Sequence, residues 1–172
     1  MSMQNRRRIV HVTTVLAVAS AMLFSGCGIF GGGGGPKDRT LELTFVPSSK
    51  LNFDGTSANV VQVAVFVLTG TEKFQSGRVE TFFDSEYDKS YYTQFAADTL
   101  GAWTLTLRPG QKESKIVRYN PGQAKRVSLG IIGDFFRAPG DGRERAVYQL
   151  ENKEAQRLTI TVGENVIESI KR

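Results

Sequence analysis

Trp103-Thr104-Leu105-Thr106-Leu107-Arg108-Pro109-Gly110-Gln111, followed by Glu113 to Tyr119, is the stretch that decides the fold. Trp103, Leu105 and Leu107 alternate with threonines, and a period of two puts apolar side chains on one face of a strand. Pro109 and Gly110 suit the two central positions of a type II turn, since proline presets the first φ and glycine accepts the positive second one. The pattern predicts a strand, a tight turn and a return strand over Glu113 to Tyr119.

Further along, Asn120-Pro121-Gly122 turns the chain again, and Arg126 to Phe136 is the most apolar stretch outside the amino-terminal segment. Pro139-Gly140-Asp141-Gly142 reads as a loop. Ala146 to Leu150, Arg157 to Val162 and Val166 to Ile170 read as short strands, the last two joined by Gly163-Glu164-Asn165. Toward the amino terminus, Leu41, Leu43 and Phe45 alternate with Glu42, Thr44 and Val46, a half-buried strand that Pro47 ends. Val60 to Leu68 is β-branched and nearly all apolar, which suits a central strand covered on both faces. Ser48 to Asn59 is polar and turn-rich, with Asp54-Gly55 its sharpest bend. Between 74 and 100, Val79, Phe82, Phe83, Tyr87 and Tyr91 recur at helical spacing, and Ser85 to Asp88 can restart a helix by capping, so one or two short helices are predicted. Short strands at regular spacing with turn chemistry between them predict an all-β fold: an antiparallel β-sandwich with a short helical insert after the second strand.

The amino-terminal segment is of another kind. Arg6, Arg7 and Arg8 precede an uncharged run from Ile9 to Gly26, the layout of a secretory signal. A membrane-spanning helix needs about 20 apolar residues, whereas this run is shorter and carries His11, Thr13, Thr14 and Ser20. Leu23-Phe24-Ser25-Gly26-Cys27 resembles the lipobox of bacterial lipoproteins, in which small residues precede a lipidated cysteine. The expected division is a signal over 1–26, the lipidated Cys27 with a glycine-rich tether over 27–39, and a domain over 40–172. Gly31 to Gly35 is followed by neither the lysine nor the hydroxyl of a phosphate-binding loop, so it reads as flexible linker.

Cleavage before Cys27 removes most of the basic excess. The full chain carries 22 Lys and Arg against 17 Asp and Glu, and losing the three leader arginines leaves 19 against 17. Lys125-Arg126 and Arg143/Arg145 are too sparse for a nucleic-acid stripe. The single histidine, His11, goes with the leader, and the single cysteine is Cys27 itself. The domain therefore lacks the side chains for a Ser-His-Asp triad, a Cys-His pair, a His/Cys zinc site or an internal disulfide. A hydrolase built on two carboxylates stays open, but no motif proposes a pair. Asp84 to Asp88 lacks the oxygen spacing of a calcium loop. The expectation is a non-enzymatic protein with no cofactor, metal or small-molecule substrate.

Several local patterns in order resemble the type VI secretion lipoprotein family TssJ, also called SciN or VasD. They are Leu51-Asn52 with Asp54-Gly55, followed by Val61, Val63, Val65 and Val67-Leu68; Phe74 with Phe82-Phe83 and Leu100-Gly101; Leu107 with Pro109-Gly110; and Leu129-Gly130-Ile131-Ile132-Gly133 with Phe135-Phe136-Arg137. The Trp-Arg pair that often follows the core strand in the family is missing, and Arg143 and Arg145 stand nearest its place. The resemblance implies a transthyretin-like sandwich on the periplasmic face of the outer membrane, held by acyl chains on Cys27. Gly28, rather than Asp, after the cysteine implies outer-membrane sorting. The implied partner is the periplasmic C-terminal region of a TssM-like inner-membrane protein, and through it TssL.

The resemblance also implies that the loop between the first two strands, Pro47 to Asn59, makes that contact, with Leu51, Asn52, Phe53, Asp54 and Gly55 as site residues. Two readings of the residues themselves stand beside it. Leu51 and Phe53 are either apolar anchors for a partner or ordinary packing groups beside a turn. The rival function is another periplasmic or surface lipoprotein module that binds carbohydrate or peptide, for which Trp103 and Tyr119 would line an exposed sheet face.

Overall fold

The expected strands form, and they divide between two sheets. The structure, a computed structural model, describes residues 37–137 and 140–172; the leader, Cys27, the glycine run and Pro139 lie outside these. Among the described residues the order is β1 (Arg39–Pro47), β2 (Val61–Leu68), α1 (Glu72–Ser76), α2 (Val79–Phe83), α3 (Lys89–Ala96), β3 (Thr99–Leu107), β4 (Glu113–Tyr119), β5 (Ser128–Gly133), β6 (Arg145–Gln149), β7 (Ala155–Val162) and β8 (Ile167–Lys171). One sheet, here sheet A, has the order β4-β1-β7-β8, and the other, sheet B, has the order β3-β2-β5-β6.

Alternation places the core. Leu41, Leu43 and Phe45 of β1, Val117 and Tyr119 of β4, and Leu158, Ile160 and Val162 of β7 turn inward from sheet A. Val63, Val65 and Val67 of β2, Leu107 of β3, and Leu129 and Ile131 of β5 meet them from sheet B. The opposite face of β2 is also covered: Ala64, Phe66 and Leu68 pack under the helical insert with Ile132. The buried residues of both cores lie between Leu41 and Ile167, so the domain encloses its own interior.

Two expectations are corrected, and the expected antiparallel sandwich forms with one parallel pair within it. The Arg108–Gln111 turn forms, with Gly110 at φ 67° and the Gln111 amide donating to the Arg108 carbonyl at 3.2 Å. Its two strands do not pair, however: β3 pairs with β2, and β4 crosses to pair with β1. Each strand carries one apolar face, which an arch between sheets buries as well as a hairpin does. Within the sandwich, β1 and β7 are that parallel pair, from Thr40↔Ala155 to Pro47↔Val162. The insert has three short helices rather than one or two. Tyr87 stands exposed between α2 and α3, so the expected stripe breaks there. The packing instead uses Phe74, Phe82 and Phe95, one from each helix.

These phenylalanines converge on Phe66 of β2. Phe66–Phe95 and Phe82–Phe95 both have centroids 5.0 Å apart in edge-to-face geometry, and Phe74–Phe82 lie 5.4 Å apart. Such pairs add about 0.5–1.5 kcal/mol each beyond the area they bury. Asp88 caps α3, its carboxylate accepting from the Tyr91 amide at 3.0 Å. Arg145 pins α1 by donating through Nη1 to the carbonyls of Phe74 at 2.6 Å and Gly77 at 2.8 Å, groups that a helix end leaves without partners. Arg145 is largely buried and pairs with Glu144 at 2.9 Å.

Candidate partner-docking loop

Strand direction gathers the loops at one pole. β1 runs nine residues from Arg39 to Pro47, about 30 Å of extended chain. At its far end lie the β1–β2 loop, the β3–β4 arch, the β5–β6 connection and the β7–β8 turn. Backbone bonds tie three of these together: Ser48 amide to Val162 carbonyl at 2.7 Å, Gly110 amide to Ser48 carbonyl at 3.0 Å, and Asn52 amide to Glu164 carbonyl at 2.5 Å.

Asn52 adds the fourth. It sits at φ 49°, a left-handed conformation that asparagine tolerates better than most side chains. Its amide group donates to the Val60 carbonyl at 2.7 Å, and its Oδ1 accepts from the Phe136 amide at 2.7 Å. This buried side chain thus joins the two ends of its own loop and fastens them to the β5–β6 connection. Asp54 shapes the tip. Its Oδ1 accepts from the amides of Thr56 at 2.7 Å and Ser57 at 2.9 Å, and its Oδ2 from the Asn59 side chain at 3.2 Å. Those bonds favour the charged form, led by the Ser57 and Thr56 amides, and hold its carboxyl below the usual 3.8. Gly55 follows at φ 104°, which only glycine adopts freely.

The five site residues expected from the sequence therefore divide. Leu51 has no exposed surface and belongs to the core between the sheets, so it is a plug for the loop and not a partner anchor. Asn52 is a latch. Phe53 and Asp54 are half-buried and Gly55 is exposed, so these remain at the surface. The structure adds neighbours that the sequence reading placed elsewhere. Phe136, assigned to the apolar run, is 68% exposed, and Val60, assigned to a covered strand, is 53% exposed. The Arg137 guanidinium lies 5.8 Å from the Phe136 ring centre and about 3.6 Å from where a Cβ on Gly55 would stand. No local signal marked Phe136: it stands in a turn three residues past the end of β5, where strand alternation no longer applies.

The rival site does not assemble. Tyr119 is buried and Trp103 packs against the core between the sheets, so neither offers an open face to a sugar. Arg143 pairs with Asp141 at 2.7 Å, and Arg145 is committed to α1. Among the described residues no group of His, Cys, Asp and Glu is placed to hold a metal ion, and no helix is long and apolar enough to cross a membrane.

The fold recurs in known structures. The lipoprotein TssJ1 from Pseudomonas aeruginosa aligns with a TM-score of 0.62 at 16% identity, covering 78% of this chain and 96% of that one. Serratia marcescens Lip, a membrane-bound component of the type VI secretion system, aligns at 0.60 and 16% identity over 77% and 95%. A chain in the structure of the T6SS protein TssM C-terminal domain from EAEC aligns at 0.60 and 16% identity over 78% and 98%. No curated protein sequence matches this chain. The profile described as "Type VI secretion lipoprotein, VasD, EvfM, TssJ" matches residues 39–165, from the first residue of β1 to the β7–β8 turn. With most of the domain inside that match, and with the sandwich and its loop pole in place, the chain belongs to the type VI secretion lipoprotein family.

Proposed function

We propose that this protein is the outer-membrane anchor of a type VI secretion membrane complex. Acyl chains on Cys27 hold one end, and the loop pole docks on the periplasmic C-terminal region of a TssM-like inner-membrane protein that also engages TssL. The observation that carries this reading is the polarity of the domain. The chain comes from the tether at Lys37, and β1 delivers it about 30 Å away to the candidate docking loop. A lipid anchor at one pole leaves the other free to meet a partner across the periplasm. Gly28 agrees with outer-membrane sorting, and the likeness to a chain in the TssM C-terminal domain structure agrees with that partner.

The loop suits docking because it is fixed before it binds. A surface already ordered by Asn52 and Asp54 loses little conformational freedom on association. Phe53 and Phe136 supply aromatic surface, and Arg137 supplies a cation held beside it. Phe53→Ala and Phe136→Ala should each weaken a TssM-like periplasmic region by about tenfold or more. Phe136→Ala should leave the melting temperature nearly unchanged, since an exposed ring leaves no cavity. Wild-type affinity in both variants, measured by calorimetric titration, would remove this pole from the contact.

A further inference from the structure

The pole where the tether joins the domain differs in charge from the pole that holds the docking loop. It is built from residues 37–39, the β4–β5 connection and the β6–β7 connection, brought together by the Arg39↔Tyr119 and Thr40↔Ala155 pairings. Lys37, Arg39, Lys125, Arg126 and Lys153 stand there against Asp38, Glu151 and Glu154. Two of the three acids are paired with cations, while Asp38 keeps its charge beside a neutral amide. Glu154 pairs with Lys37 at 3.3 Å, Asp38 accepts from the Asn120 side chain at 2.8 Å, and Glu151 takes Lys153 at 2.6 Å and also Arg172. The Lys153 hydrogen bond, followed by the charges of Arg172 and Lys153, holds the Glu151 carboxyl below its usual range. Arg39 is bonded to the neutral Asn152 side chain, and among the described residues Lys125 and Arg126 have no acidic partner. Grooves of about 220 Å³ and 280 Å³ open between the two connections and share Arg39, Gly122 and Asn152; the second also includes Lys125. The helical insert joins at this end, where Asp98 pairs with Lys73 at 3.3 Å; over residues 69–98 it carries six acids against three bases, and it packs over Ala64, Phe66 and Ile132 on the outer face of sheet B.

We infer that this pole is a membrane-facing surface that binds the phosphates of anionic phospholipid headgroups. The inference rests on the reading that the chain is anchored through Cys27. A tether of about ten residues keeps the domain within about 15–20 Å of the bilayer, and of its two poles the one carrying Lys37 is joined to the tether. Uncompensated cations at that distance lie within one or two Debye lengths of the lipid charge. Tethering raises their effective concentration at the surface, so contacts too weak to recruit a free protein suffice to orient a held one. The occupant follows from the charge and from the attachment: a surface that is anionic, extended and always adjacent. Such contacts turn the docking loop away from the bilayer, because it sits at the other end of β1.

The test uses the unlipidated domain, residues 37–172, whose core is complete, with its melting curve as the check on folding. Co-sedimentation with phosphatidylethanolamine vesicles containing about one phosphatidylglycerol in four should show binding that weakens steeply between about 0.05 and 0.3 M salt. The pair Lys125→Glu with Arg126→Glu, both exposed, should lower that binding by about tenfold or more. The pair Arg108→Glu with Lys112→Glu, at the opposite pole, should leave it unchanged. Equal binding to vesicles without phosphatidylglycerol, or an equal loss in the Arg108 and Lys112 pair, would overturn the inference. So would displacement by inorganic phosphate beyond its ionic strength, which would mark a small-anion site. Fatty-acid labelling of the full chain at Cys27 reads the anchoring separately: a labelled protein whose domain ignores anionic vesicles refutes only the membrane-facing pole.

Discussion

The helical insert and the candidate docking loop are both long departures from the same strand, β2, one at each end, and they are held by opposite means. The insert is fastened by dispersion and burial, with phenylalanines from three helices around Phe66 and with Arg145 closing α1. The loop is fastened by directed bonds, with Leu51 as its one fully buried apolar plug and Asn52 and Asp54 setting its path. Apolar packing tolerates small shifts because it is non-directional. A hydrogen-bonded loop keeps one shape until a partner atom is lost. The first suits a cover over a sheet, the second a surface that must present fixed groups.

The largest effect is expected where the insert is packed. Phe95→Ala should cost about 3–5 kcal/mol, the usual range for a buried phenylalanine in contact on all sides. Hydrogen exchange should speed over Glu72–Ala96 while the Ser48 and Asn52 amides stay protected. Equal acceleration at both places would break the distinction by making them one cooperative unit.

A smaller loss is expected from Asn52→Ala, about 1–3 kcal/mol for the Val60 carbonyl and Phe136 amide left without partners. Asn52→Gly separates the contributions, since glycine accepts φ 49° but makes neither bond. Both variants should expose the Phe136 amide to exchange and weaken partner binding. A glycine variant as stable as wild type would mean that backbone strain, and not the latch, governs the loop.

The smallest effect is acid loosening of the tip. The Asp54 carboxyl lies below 3.8 in the folded loop, so a loosened loop takes up its proton more readily. The stabilisation is complete above that value and drains away as pH falls through the folded one. Thr56 and Ser57 amide shifts followed from about pH 6 to about pH 2 should move together, and Asp54→Asn should abolish the transition. Unchanged shifts in the wild type would leave the loop shaped by Gly55 and Asn59 alone.

How much of this was legible follows from how local each feature is. β1, β2 and β5 could be read because burial on one or both faces writes itself into a period of two or an unbroken apolar run. The turn at Pro109-Gly110 could be read for the same reason. The crossing of β4 to sheet A could not, because a one-faced strand satisfies a hairpin and an arch equally. The parallel pairing of β1 with β7 joins segments more than a hundred residues apart, and no pattern within either strand encodes it. In the loop, Asp54-Gly55 was visible as a bend, since Asp54 bonds only nearby groups. Asn52 was legible as part of a motif but not as a latch, because two of its four bonds go to Glu164 and Phe136.

The placement of β1 has a mechanical consequence. If the tether pulls at Lys37 and a partner pulls on the loop beyond Pro47, the load runs along the axis of β1. That strand is central in sheet A, with β4 on one side and the parallel β7 on the other. A pull along a strand with partners on both sides loads its cross-strand bonds in shear, so many must fail at once. An edge hairpin pulled at its open end would instead unzip one bond at a time. Under the proposed function, a tether before β1 and a docking loop directly after it make this strand a tension member, and the sheet resists stretching in its strongest direction.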